Sequence, residues 1–144
     1  MIKRFIFDLD GTLIDKVDFS ELVKRKLKEF NYQYTDTQFR QYMQAMQNYE
    51  KKFSKYTFDD YFEYIHQISM IDFSPEYMKS FLSSAIKCVP DFVHQDVISA
   101  LNYLKEKYEL VVLTNFFKDV QLLRMENVGL PFMFDDVIGG GHIY

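Results

Sequence analysis

Apolar residues recur with different periods along this chain, and each change of period marks an element. Residues 3–9, KRFIFDL, form a short apolar run rich in aromatic and β-branched side chains, which predicts a buried strand. Gly11 supplies the turn after it. From Asp18 onward the period becomes helical: Phe19, Leu22, Val23, Leu27 and Phe30 share a face, and Asp18 with Glu21 has the spacing of a capping box. Thr35 with Gln38 opens a second helix carrying Phe39, Tyr42, Met43, Met46 and Phe53, and Thr57 with Asp60 opens a third carrying Phe58, Tyr61, Phe62, Ile65 and Ile68. Ser74-Pro75, a cap followed by a first-turn proline, opens a fourth with Met78, Phe81, Leu82 and Ala85 inward.

After Pro90 helices and strands alternate. A helix is expected around 92–107, with Val93, Val97, Leu101 and Leu104 inward, and ELVVLTN (109–115) reads as a buried parallel strand. A short helix over about 117–127 is closed by Gly129, and FDDVIGGG (134–141) is a third strand. This succession predicts an α/β fold, a doubly wound Rossmann-like parallel sheet of about three strands, with an all-helical domain inserted after the first strand. The expected division is 1–16 with 89–144 for the sheet domain and 17–88 for the four inserted helices.

Composition narrows the class of partner. Hydrophobic residues make up 48% and charged residues 26% of 144 positions, as in a globular chain of one domain, or a core with an insert. A formal charge of −4 without a long basic block argues against nucleic acid, and the lysines of KRKLKEF (24–30) and YEKKFSK (49–55) read as solvated helix faces. No apolar run is long enough for a membrane helix, and MIKRFIF is too short a run for a signal peptide. With Cys88 the single cysteine, no internal disulfide forms, and a cytoplasmic location is expected.

In an open parallel sheet, ligands bind outside the carboxyl ends of the strands. Asp8–Thr12, Thr114–Asn115 and Gly139–His142 all fall on that edge. Two carboxylates as close as Asp8 and Asp10 repel each other unless a cation, a shared proton or a reaction uses both. Phosphoryl transfer does: Asp8 attacks phosphorus, and Asp10 protonates the leaving oxygen and later takes a proton from water. Gly11 permits a tight turn of amides toward phosphate, Thr114 and Asn115 offer a hydroxyl and an amide, and Mg2+ neutralises the charge. His66, His94 and His142 lack metal-ligand spacing; His142 follows the glycines as a loop residue. Gly139–Gly141 lacks the rest of a dinucleotide fingerprint.

FDLDGTLID resembles the first motif of the haloacid dehalogenase superfamily, and VVLTN resembles its second, with the helical insert where that family places its cap. The resemblance implies that Asp8 is the nucleophile and a metal ligand through its side chain. It implies that Asp10 is the acid/base and a metal ligand through its backbone carbonyl, and that Thr114 and Asn115 hold phosphate. The second acid is similar to the family's phosphatases and phosphomutases rather than its dehalogenases. The expected function is Mg2+-dependent hydrolysis of a small phosphorylated metabolite through an aspartyl phosphate, with a sugar-phosphate mutase or a non-catalytic binding remnant as alternatives. A phosphorelay receiver domain ranks last, because it has no helical insert. The family's third-motif lysine and fourth-motif acids have no counterpart: Asp135 and Asp136 start their strand on the opposite edge, and Asp119, though near the second motif, cannot replace a cation. The chain is therefore expected to be the N-terminal portion of a phosphatase that needs residues beyond 144 for activity. Its first strand is then an open edge inviting self-association.

Overall fold

The computed structural model describes residues 1–52, 56–130 and 133–141. The order of elements is β1 (Arg4–Phe7), α1 (Phe19–Glu29), α2 (Asp36–Lys52), α3 (Phe58–Ser69), α4 (Pro75–Lys87), α5 (Gln95–Lys105), β2 (Glu109–Leu113), α6 (Lys118–Asn127) and β3 (Asp136–Ile138). They fall into two compact units. Met1–Val17 and Ile86–Gly139 form the sheet unit, and Asp18–Ala85 form the helical unit, with which Gly140 and Gly141 also group.

The sheet is parallel throughout, in the order β1-β2-β3, so β1 is an edge strand. Its register pairs Arg4 with Glu109 and Phe7 with Val112, and then Val111 with Asp136 and Leu113 with Ile138. Because side chains alternate across a strand, this register sorts them into two faces. Phe5, Phe7, Leu110, Val112 and Val137 turn toward a core that takes Leu101 from α5 and Met125 from α6, together with Leu9, Leu13, Ile14, Leu130 and Met133. Each fully buried side chain of this size stabilises the unit by roughly 1.5–3 kcal/mol. The other face carries Arg4 in a bidentate pair with Glu109 (2.8 and 3.0 Å). It also leaves Ile6, Leu113 and Ile138 about half exposed, at 59%, 52% and 46%.

The helices start where the sequence places their caps. Asp18 accepts from the Ser20 amide at 2.9 Å, the Thr35 hydroxyl and the Gln38 side chain exchange bonds with each other's amides at 3.2 and 3.0 Å, and Ser74 Oγ accepts from the Tyr77 amide at 3.1 Å. Leu22, Val23 and Leu27, Tyr42 and Met46, Tyr61, Phe62 and Ile65, and Tyr77, Phe81 and Ala85 are the buried stripes of α1 to α4. Aromatic rings dominate this core, some edge to face, as between Phe62 and Phe81 (5.4 Å, 81°) and Phe62 and Phe73 (5.2 Å, 74°), and some stacked, as between Phe73 and Tyr77 (5.1 Å, 24°).

The strands are shorter than the apolar runs that predicted them. β3 spans only Asp136–Ile138, because only Asp136, Val137 and Ile138 have partners on β2. β1 stops at Phe7, because Leu9 enters the core (0% exposed) at the start of the turn. One lysine of the 24–30 run departs from a solvated face: Lys26 is buried, and its ammonium donates to Glu29 Oε2 and Ser80 Oγ, both at 2.8 Å. Phe53 and His142 lie outside the described residues.

Candidate active site

β1 and β2 deliver the predicted residues to one end of the sheet. Asp8 is the first residue after β1, and Thr114 and Asn115 are the first two after β2. The Asp8 side chain is exposed, and its Oδ1 accepts from the Leu9 amide at 2.8 Å. The chain then folds sharply, with the amides of Leu13 and Ile14 both donating to the Leu9 carbonyl (3.0 and 3.1 Å). Gly11 makes this turn with φ at 82°, a left-handed conformation that strains any residue with a Cβ. Its own amide donates to the Ile14 carbonyl at 2.8 Å, so Gly11 shapes the turn with its N–H already engaged.

Asp10 is held by groups that sequence reasoning passed over. Arg124 of α6, 0% exposed, grips its carboxylate with both arms, Nη2 to Oδ1 at 2.7 Å and Nη1 to Oδ2 at 2.8 Å. Nη1 also donates to Gln121 Oε1 (2.7 Å), and Nε donates to the Cys88 carbonyl (3.0 Å). Gln121, one turn back on α6 and 2% exposed, turns its amide nitrogen to Thr114 Oγ1 (2.8 Å), the Asn115 carbonyl (3.1 Å) and Asp10 Oδ2 (3.2 Å). Asp10, Thr114 and Asn115 are thus tied into one network through two side chains of α6. Charge-assisted, bidentate bonds of this kind are the strong members of their class.

The signal for these two residues was present in the pattern. Val120, Gln121, Arg124 and Met125 are all buried on α6, so a glutamine and an arginine occupy core-facing positions of an amphipathic helix. A buried charge on an apolar stripe needs a counter-ion, and the partly exposed Asp10 is that group. Phe116 adds a second irregularity: it follows Asn115 with φ at 72°, where a bulky side chain is a genuine outlier, and packs against Phe117 (4.8 Å, 72°). Asp119 lies in the first turn of α6, and Asp135 stands at the far end of β2, accepting from the Leu110 amide at 2.8 Å.

The oxygens available to a hard cation are few but suitable. Among the described residues, Asp8 Oδ2 and the Asp10 backbone carbonyl accept no hydrogen bond, whereas the Asp10 carboxylate is engaged by Arg124 and Gln121. Mg2+ binds proteins through one or two such oxygens and keeps several waters, so this donor set fits it.

Residues 5–144 match the family described as haloacid dehalogenase-like hydrolase. Among curated proteins, none matches the sequence. Among solved structures, the chain is similar to the HAD-hydrolase YfnB of Bacillus subtilis bound to magnesium, at 18% identity and a TM-score of 0.69, covering 96% of this chain and 65% of that one. It is similar to a family enzyme of Bacteroides thetaiotaomicron in complex with magnesium and inorganic phosphate, at 19% identity and a TM-score of 0.60, covering 95% and 68%. It is also similar to L-2-haloacid dehalogenase of Xanthobacter autotrophicus with chloropropionic acid covalently bound, at 16% identity and a TM-score of 0.60, covering 96% and 57%. The chain therefore spans about two thirds or less of the first and third of these proteins. Among the described residues, no helix is long and apolar enough to cross a membrane.

Proposed function

Because the chain belongs to the haloacid dehalogenase-like hydrolase family, we propose that it supplies the nucleophile and the acid/base of a phosphomonoester hydrolase. A carboxylate oxygen of Asp8 attacks phosphorus, the bond from phosphorus to the ester oxygen breaks, and Asp10, which enters this step carrying a proton, gives that proton to the leaving oxygen. Water then attacks the aspartyl phosphate, Asp10 accepts the water's proton, and inorganic phosphate leaves. Thr114 and Asn115 orient the phosphoryl oxygens, and the Asp10 amide, which has no acceptor among the described residues, adds a donor beside them. Asp8 and the Asp10 carbonyl would hold Mg2+, which when bound neutralises charge between nucleophile and phosphate. Asp18–Ala85 would serve as the cap domain of the family.

One observation carries this reading. Asp10 is tied by Arg124 and Gln121 into the same network as Thr114 and Asn115. A carboxylate that merely closed a turn would need no fully buried arginine. A second acid positioned in this way is useful for protonating an ester oxygen and is superfluous for displacing a halide.

The test is made on the full polypeptide that contains these 144 residues, with Mg2+ and a panel of small phosphate esters. Release of inorganic phosphate, together with a phosphate adduct on Asp8 trapped by acid quench and located by mass spectrometry, is the expected result. Transfer of phosphate to a second sugar phosphate instead of water marks a mutase. Release of halide from a 2-haloacid without phosphatase activity overturns the proposal.

A further inference from the structure

The bonds on Asp10 distinguish its two carboxylate oxygens. An ionised carboxylate offers about four lone-pair sites, two on each oxygen. Oδ2 receives Arg124 Nη1–H at 2.8 Å and a share, at 3.2 Å, of the two Nε2 hydrogens that Gln121 divides among Thr114 Oγ1, the Asn115 carbonyl and Asp10, so two donors face it. Oδ1 receives only Arg124 Nη2–H, at 2.7 Å, and keeps one site among the described residues. The side chain of Asp10 is 26% exposed and that of Arg124 0%, so the carboxylate reaches solvent while its clamp does not. The clamp is itself anchored, since Arg124 Nε donates to the Cys88 carbonyl and Nη1 to Gln121 Oε1. Rotating the Asp10 carboxylate would break several of these bonds at once.

We propose that Arg124, with Gln121, is a positioning residue that presents Oδ1 of Asp10 as the oxygen exchanging a proton with the substrate, Oδ2 being the anchored one. The assignment rests on the hydrolase reading above for the identity of the reaction, but the clamp can be tested without turnover. Planarity matters here: a guanidinium takes both oxygens in a fixed orientation, whereas an ammonium supplies the same charge at a single point.

The first arm uses 15N–1H spectra of the 144-residue chain. Arg124 should show separate, slowly exchanging Nη1 and Nη2 signals that collapse in Asp10→Asn and persist in Asp8→Asn. A single averaged Nη signal in the unsubstituted chain overturns the proposal whatever the activity. The second arm compares an alkyl phosphate, whose poor leaving group needs a proton, with a nitrophenyl phosphate, whose leaving group needs little, in the full polypeptide. Arg124→Met should lower kcat on the alkyl ester on the order of 10²-fold more than on the aryl ester, the usual loss when a positioned acid is misplaced. Arg124→Lys should recover much of the thermal midpoint lost in Arg124→Met without restoring the ratio of alkyl to aryl turnover. Equal losses on both esters, or restoration of the ratio by lysine, overturn the positioning role. Silence of the unsubstituted polypeptide on both esters, with the Arg124 signals intact, overturns the hydrolase reading and the acid/base assignment with it.

Discussion

Asp8 and Asp10 are two residues apart, yet their surroundings differ. The Asp8 side chain is exposed and, among the described residues, bonds only its neighbour's amide, whereas Asp10 is the counter-ion of an arginine with no exposed surface. Substituting the two should therefore have different consequences for stability, although both residues are assigned to the chemistry. Asp8→Asn should abolish turnover of the full polypeptide, since an amide neither attacks phosphorus nor replaces a carboxylate toward Mg2+, while shifting stability by no more than about 0.5 kcal/mol, as for exposed sites. Asp10→Ala should destabilise the chain by about 3–5 kcal/mol, because it leaves a buried charge without its partner. Urea unfolding of the two variants checks this; equal midpoints would mean that the ion pair does not form in solution. Phe116 is the other residue whose conformation works against its type. Its left-handed φ of 72° is maintained although the ring is buried at 6% exposure, so packing against Phe117 and its surroundings outweighs about 1–3 kcal/mol of backbone strain.

Each helix of the Asp18–Ala85 unit is begun by a polar cap and held by an aromatic stripe. The reciprocal bonds between Thr35 and Gln38 satisfy two amides at the start of α2, and Thr35→Ala should cost about 1 kcal/mol in thermal or urea unfolding. The stripes contain tyrosines with their hydroxyls inside. Burial pushes the phenols of Tyr42, Tyr61 and Tyr77 above their ordinary value, with smaller contributions from Tyr77 on Tyr42 and from Glu50 on Tyr61. A raised folded-state value means the unfolded chain gives up these protons first. Their contribution is complete below about pH 10, the unfolded value, and is lost as pH rises beyond it. Of the eleven tyrosines, these three should ionise only as the helical unit unfolds. Tyrosinate absorbance for this group should then rise together with the loss of helical circular dichroism; titration of all tyrosines before any loss of helix would show that the cluster is open to solvent.

Among the described residues, the sheet has one face covered by helices and a second on which Val111 is buried but its apolar neighbours are partly exposed. α5 and α6 supply Leu101 and Met125 to one face, while Ile6, Leu113 and Ile138 remain about half exposed on the other, and among the described residues β1 pairs with β2 alone and leaves an open edge. An open edge beside exposed apolar side chains invites association. We expect the 144-residue chain to self-associate, and the double substitution Ile6→Thr with Ile138→Thr to lower the mass seen by light scattering. An unchanged mass would place the contact elsewhere. Of the two units, the helical one is proposed as the selector of substrate. Replacing Asp18–Ala85 by a short Gly/Ser bridge in the full polypeptide should widen the range of esters hydrolysed and raise KM. Unchanged discrimination among esters after the excision would remove that role.

By itself, the sequence determined the elements, their order and the family. Apolar period depends on local geometry, 3.6 residues per turn or two per pleat, and the caps at Asp18, Thr35, Thr57 and Ser74 act within one helical turn, so both are written in short stretches of chain. The placement of Asp8, Asp10, Thr114 and Asn115 was legible for a related reason: strand direction in a parallel sheet brings the residues after β1 and β2 to one edge. What only the tertiary structure decided is how that edge is wired. Arg124 lies 114 residues from Asp10, and no local rule connects them; α6 had to pack against the sheet before its polar pair could meet the carboxylate. Packing inside the helical unit likewise buried Lys26 against Ser80, 54 residues away. Long-range polar pairing depends on which surfaces become buried together, and burial belongs to the folded chain as a whole.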